Sequence, residues 1–202
     1  AFQIQGLLTA YKERFNKDNF IKNLLLDNLL LVDIQNRAKK LHIEVDARRV
    51  VYILETNQEK DYGSLENIKN LLGGKSGDFV TAVDEKSVII VKELAPSDDY
   101  AQLEKTAYTI LSTLGVEKDG KTHIAYGTIV KDLKEVSRSY KEARMALDVG
   151  KIFFGEREVI AYSSLGIGRL IYQLPIPLCK MFIREIFDGK SPDDFDEETL
   201  TT

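Results

Sequence analysis

Several stretches hold residues suited to phosphate, metal or nucleophile chemistry, and each breaks its pattern at a required position. Gly74-Lys75-Ser76 supplies the close of a phosphate-binding loop, G-x-x-x-x-G-K-[ST], in which backbone N–H groups cradle phosphates. Its opening glycine would stand where Lys69 is, and the segment follows a predicted helix instead of a strand. It reads as a helix cap and turn. Gly166-Ile167-Gly168 is a G-x-G whose third glycine is replaced by Ile171, so it reads as a turn and helix start instead of a dinucleotide site. His42 and His123 have no H-x-x-x-H or C-x-x-C companions, and zinc needs such clusters. His123, at a strand start, reads as a packed or exposed polar residue. Cys179 is the single cysteine, which excludes an internal disulfide framework. It lies in an apolar helical stretch with no base nearby and reads as a buried structural thiol. No G-x-S-x-G occurs, and the carboxylates are scattered with no pair that spacing assigns to acid–base work. The expected catalytic, cofactor and metal sets are therefore empty.

The elements that would position any site alternate between helical and strand periodicity. Residues 2–15 predict a helix with Ile4, Leu7, Leu8, Tyr11 and Phe15 on one stripe. Asn16 to Asn19 predict a break, and Asp18 a cap for a second helix running to Leu31. That helix is apolar over a wide arc (Phe20, Ile21, Leu24, Leu25, Leu26, Leu29, Leu30, Leu31), so it must pack on two surfaces or against another subunit. Asp33 reads as the cap of a short basic helix, 34–41, whose Arg37, Lys39 and Lys40 form a solvated face. Val50-Val51-Tyr52-Ile53-Leu54 is a β-branched apolar run expected of a strand covered on both faces. A helix over 64–72, strands over 79–83 and 88–91 joined by Asp84-Glu85-Lys86-Ser87, and a helix from Asp98 or Asp99 to Leu114 follow. Then come a strand at 123–127, a helix with Leu133, Val136, Tyr140, Ala143 and Leu147 inward, and a strand at 159–162. Asp132 and Glu135 stand at capping-box spacing before that helix. Short helices at 165–173 and 178–187 lead to an acidic, proline-punctuated tail that reads as a linker. The order from residue 48 is β-α-β-β-α-β-α-β, and its first six elements form the ferredoxin-like unit of nucleotide cyclases.

Composition narrows the class. With 44% hydrophobic and 30% charged residues the chain can bury a core and still dissolve. No apolar run approaches the roughly 18 residues of a membrane span, and no secretory leader opens the sequence, so the expectation is a cytoplasmic protein with no membrane partner. A net charge of −4 opposes duplex DNA binding by this chain alone, since phosphate contacts dominate such affinity.

Tyr126-Gly127-Thr128, Asp132-Leu133, Ser139-Tyr140-Lys141-Glu142-Ala143-Arg144-Met145-Ala146-Leu147 and Gly150 together resemble one family. Val159-Ile160-Ala161-Tyr162, Leu165-Gly166-Ile167 and Leu170 to Pro175 extend the likeness. The pattern resembles the GGDEF-like central domain of sugar-diacid (CdaR) and purine-catabolism (PucR) transcription regulators, over roughly residues 20–190. The resemblance implies an α/β (α+β) fold, with a ferredoxin-like, cyclase-type antiparallel sheet and flanking helices. It also implies a variable sensory domain before this one and a helix-turn-helix after it. The domain division expected is a helical connector at 1–45, the degenerate GGDEF-like domain at 46–165, and C-terminal helices with a linker at 166–202.

In active diguanylate cyclases G-G-[DE]-E-F fills the hairpin between the second and third strands. The matching residues here are Asp84, Glu85, Lys86, Ser87 and Val88. Side chains at Asp84 and Glu85 replace the glycines that admit a nucleotide, and Lys86 replaces an acid that would hold magnesium, a cation that needs hard oxygen ligands. Glu55, at the end of the first strand, nominally keeps one acid. Lys75 and Asp78 stand at the spacing of an inhibitory R-x-x-D site, but lysine lacks arginine's bidentate fork. The resemblance thus implies a fold that has lost its chemistry: a non-enzymatic signal-relay and dimerisation domain. Its expected partner is a second copy, its effector is unknown, and it would reach DNA only through a helix-turn-helix missing from this fragment. The alternative is a receptor domain with residual small-molecule or nucleotide binding.

Overall fold

A computed structural model describes residues 2–56, 68, 77–82, 84, 87–113, 122–155 and 157–186. Helices α1 (Phe2–Leu25) and α2 (Leu31–Lys40) come first. Strands β1 (Arg49–Thr56), β2 (Phe79–Thr81) and β3 (Ser87–Glu93) follow. Helix α3 (Tyr100–Thr113), strand β4 (Thr122–Tyr126), helix α4 (Val136–Phe153) and strand β5 (Val159–Ala161) complete a first compact unit, residues 1–165. A second unit, from residue 166 on, holds α5 (Ile167–Gln173) and α6 (Ile176–Ile186).

The sheet runs β2-β3-β1-β4-β5, antiparallel except for the parallel β4–β5 pair. Its first four strands have the ferredoxin-like order, and the fold is the mixed α/β, mostly antiparallel one that the sequence predicts. β1 lies at the centre, which explains its unbroken apolar run. Val51 and Ile53 face one layer with α1, α2 and α4. Val50, Tyr52 and Leu54 face a second layer with α3 and Ile68. Each layer needs only alternate residues of a strand, so a central strand needs all of them apolar.

The N-terminal region departs from the sequence reading. α1 passes through Asn16–Asn19 without a break. Lys17–Glu13 and Lys22–Asp18 ion pairs, each spanning one helical turn, and an Asn23 side-chain bond to the Asn19 carbonyl keep the polar segment helical. Asp18 caps nothing; its carboxylate accepts a 2.7 Å bond from Thr81 of β2. The helix ends at Leu25, not Leu31. Asp27 takes a left-handed φ of 61°, while Asn28 N–H reaches back to the Asn23 carbonyl and Asp27 N–H to that of Leu24. That is a Schellman stop with Asp in the usual glycine place. The same device ends α2, with His42 at φ 55° and Ile43 N–H on the Ala38 carbonyl. His42 is thus a helix terminator. α2 also starts earlier than expected, at Leu31, leaving Asp33 in its first turn instead of at its cap.

Phe20, Ile21, Leu24 and Leu25 are buried in the core beside β1 and α4. The wide apolar arc therefore divides: its first part is core within one chain, while Leu26, Leu30 and Leu31 are exposed in and after the stop. α3 starts where expected, with the Asp99 side chain accepting from Gln102 N–H. Asp132 accepts from Lys134 N–H, but Glu135 pairs with Arg138 and does not return the bond, so the capping box is half made. The predicted helix over 64–72 lies outside the described residues except for Ile68, which is helical and buried. α5 begins at Ile167 after Gly166 at φ 53°, the turn expected there. α6 begins at Ile176, with Pro177 tolerated in its first turn. No described helix is long and apolar enough to cross a membrane.

Candidate functional site

The hairpin between β2 and β3 and the end of β1 share one end of the sheet, because Glu55 pairs across strands with Ser87 on one side and with His123 on the other. This is where cyclase chemistry would take place. Glu55 is held there by Lys151 of α4, whose Nζ stands 2.5 Å from the carboxylate. Asp84 accepts from Ser87 N–H at 2.7 Å and from the Ser87 hydroxyl at 3.1 Å, and Arg144 stands 3.7 Å from it. Arg144 also reaches Asp148 at 3.8 Å. Ser87 is buried, and Val88 belongs to the apolar layer under α3. Glu85 and Lys86 lie outside the described residues.

A magnesium ion does not fit this donor set. It needs carboxylate oxygens free to approach at about 2.0–2.1 Å, and both described acids already face a protein cation. α4 delivers both cations, from positions seven apart and therefore on one face of the helix. Among the described residues no three His, Cys, Asp or Glu side chains gather as metal ligands. Tyr140, one turn before Arg144 on α4, has its hydroxyl pKa pushed up, by burial first, against the opposing pull of Arg144.

The other sequence candidates also serve structure. Asp78 gives one oxygen to Glu93 N–H at 2.8 Å and the other to Lys92 Nζ at 3.1 Å, with its side chain almost wholly buried. It ties the start of β2 to the end of β3. Its supposed companion Lys75, with Gly74 and Ser76, lies outside the described residues. His123 is buried and donates from Nδ1 to the Arg157 carbonyl at 3.0 Å, bracing the approach to β5.

The Ser139-to-Leu147 motif is a clamp between helix and sheet. The Ser139 hydroxyl, fully buried, donates to the Thr128 carbonyl at 2.9 Å and accepts from Val51 N–H at 3.1 Å. One turn on, Glu142 accepts from both Thr128 N–H at 2.8 Å and the Thr128 hydroxyl at 2.5 Å. Gly127 N–H returns to the Val51 carbonyl. Central strand, strand end and helix are thus joined by hydrogen bonds. The Ser139→Ala variant should lose about 2 kcal/mol, since it strands a buried N–H with little change of shape. Urea unfolding measures this; a loss below about 0.5 kcal/mol would show that the hydroxyl is dispensable.

Sequence reasoning found the motif but gave it no task, and missed Lys151 and Arg144 as partners. The signal for the clamp was the three-residue step from Ser139 to Glu142, which puts both on one helix face. Nothing local signals the two cations, because their acids lie far away in the chain.

Among curated proteins none matches the chain. Residues 28–149, well over half of the sequence, match the family described as the GGDEF-like domain, so this chain belongs to that family.

Proposed function

We propose that this protein is a non-catalytic relay domain of a bacterial transcription regulator of the sugar-diacid or purine-catabolism type. One observation carries the reading: at the end of the sheet where a cyclase would hold metal and triphosphate, Glu55 faces Lys151 and Asp84 faces Arg144. Cations supplied by the protein stand beside the acids on which metal ions would act in phosphoryl transfer. The parent architecture is supported by the Ser139-to-Leu147 motif and by the Leu165-to-Pro175 continuation. In such a regulator the domain passes a change at its N-terminal helix to whatever follows its C-terminal helices, and performs no turnover.

The test is pyrophosphate release from GTP with magnesium or manganese. The expected result is none above background, for the wild type and for the Lys151→Ala variant alike, because Lys86 still stands in the hairpin. Release that scales with protein concentration and disappears in the Glu55→Gln variant would overturn the proposal.

A further inference from the structure

The glycine pair at 166 and 168 lacks the third glycine of a dinucleotide motif, yet its first member holds a conformation that calls for glycine. Gly166 stands at φ 53° and ψ −130°. An L-residue there brings its Cβ against its own backbone, so the region is almost closed to all but glycine. The surroundings make no such demand, because a Cβ built on Gly166 meets nothing within 4 Å. Backbone conformation alone therefore requires glycine here, in contrast to Gly127 and Gly150, where a Cβ would collide with neighbouring atoms.

Gly166 also falls where the chain changes character. Leu165, just before it, is the last residue of the first compact unit and is buried in the core layer of α1, α2 and α4. A 3-10 turn, Tyr162–Ser164, leads to it from β5. The Ser164 hydroxyl donates to the Ala161 carbonyl at 2.8 Å and Leu165 N–H to that of Tyr162 at 3.4 Å. Ile167, just after Gly166, begins α5. One residue thus lies between an anchor and a helix, and its two dihedrals set the direction in which the helix leaves. Glycine's conformational map is symmetric, so the observed conformer has a mirror partner of equal intrinsic energy near φ about −53° and ψ about +130°. That second conformer lies in the extended region that every residue can enter. No side chain of α5 or α6 is buried, so packing adds little preference for either. We propose that Gly166 is a two-position joint, which turns the C-terminal helices between two directions while the sheet unit stays as it is.

The proposal goes beyond the relay reading and does not rest on it. The test is the distance between two spin labels on the full chain. One label sits on Cys179 of α6, the single cysteine, and the other on the exposed side of α3 through Lys105→Cys. Three forms are compared. The first keeps Gly166, and the second carries Gly166→Ala, which favours the extended position. The third has D-alanine in place of Gly166, introduced by semisynthesis, and this mirror-image residue favours the observed position. The expected result is two distance populations with glycine, one of them alone with alanine and the other alone with D-alanine. α5 is about 10 Å long at 1.5 Å per residue, so the two populations should differ by about 5 Å or more. The melting temperatures of the three forms should agree within about 2 °C, since each alanine has a position it can adopt without strain. A glycine form with a single population would overturn the joint, and so would alanine forms that show the same distances as each other. A fall of more than about 4 °C in Tm with Gly166→Ala at an unchanged distance would make Gly166 a fixed corner of the fold and overturn it as well. The readout is a distance, so its failure leaves the absence of turnover standing, and the reverse holds as well.

Discussion

The Gly127→Ala variant should lose about 3 kcal/mol or more of stability, a fall of about 6–12 °C in Tm for a chain of this size. A Cβ at this position would stand 2.2 Å from the Ser139 carbonyl oxygen and 2.9 Å from its carbon. Those are backbone atoms of a packed helix, so relief requires moving α4 itself. Moving α4 stretches the bonds of Ser139 and Glu142 to Thr128 and Val51. Gly150→Ala is the control. Its Cβ would meet Ile160 Cδ1 at 2.3 Å and Cγ2 at 2.9 Å, atoms of a buried, β-branched side chain that must shift within the core while both backbones stay in place. It should cost less than Gly127→Ala, where backbone itself has to move. Thermal melts of the two variants decide it, and equal losses would mean that the close approach at Gly127 is not what selects glycine there.

Above pH 10 the fold should lose stability steeply. Tyr52 and Tyr126 are both buried, with ring centroids 5.5 Å apart, and the Tyr52 hydroxyl donates to the Leu103 carbonyl. Burial first, then Glu104 and the neighbouring Tyr108 and Tyr100, push Tyr126 up to about 12. Burial, followed by the presence of Tyr126, pushes Tyr52 up as well. Below pH 10 both are protonated whether the chain is folded or not, so their contribution is fully present. As the pH rises past 10 the unfolded chain releases both protons and the native one keeps them. Stability then falls by about 1.4 kcal/mol per pH unit for each tyrosine. After a discount for solvent screening at Tyr126, the two together remove on the order of a few kcal/mol by pH 12, a large share of the stability of many domains. Denaturant midpoints from pH 9 to 12 measure the slope, and Tyr126→Phe should reduce it, leaving the share of Tyr52 and of Tyr140. A flat profile would mean that these hydroxyls reach solvent in the native state.

The strands were legible in the sequence because burial writes itself locally. Val50 to Leu54 read as a two-sided core strand from composition alone, and α4 from the spacing of Val136, Ala143 and Leu147. The polar stretch Asn16–Asn19 misled, because side-chain pairs one turn apart, such as Lys22 with Asp18, satisfy a helix that composition argues against. The fate of Phe20 to Leu25 was not legible either, since a wide apolar arc looks the same whether a sheet or a second subunit covers it. At the site, the departure of Asp84-Glu85-Lys86 from the cyclase signature was plain in the sequence, while the cations that face Glu55 and Asp84 were not. Lys151 meets Glu55 only once β1 and α4 are packed together.

The place of β1 in the sheet sets a timetable for synthesis. It is the first strand of this sheet to leave the ribosome, yet both of its neighbours come later, β3 from Ser87 and β4 from Thr122. The Ser139 hydroxyl that secures Val51 is 88 residues downstream. At about 5–20 residues per second, Val50 to Leu54 wait several seconds for their last partner strand. During that interval five consecutive apolar or aromatic residues, free of charge and proline, form a segment able to pair with another nascent chain. Substitutions that slow the docking of β4 or α4 should therefore reduce soluble yield more than their effect on the finished fold suggests, and a slower rate of translation would deepen that deficit.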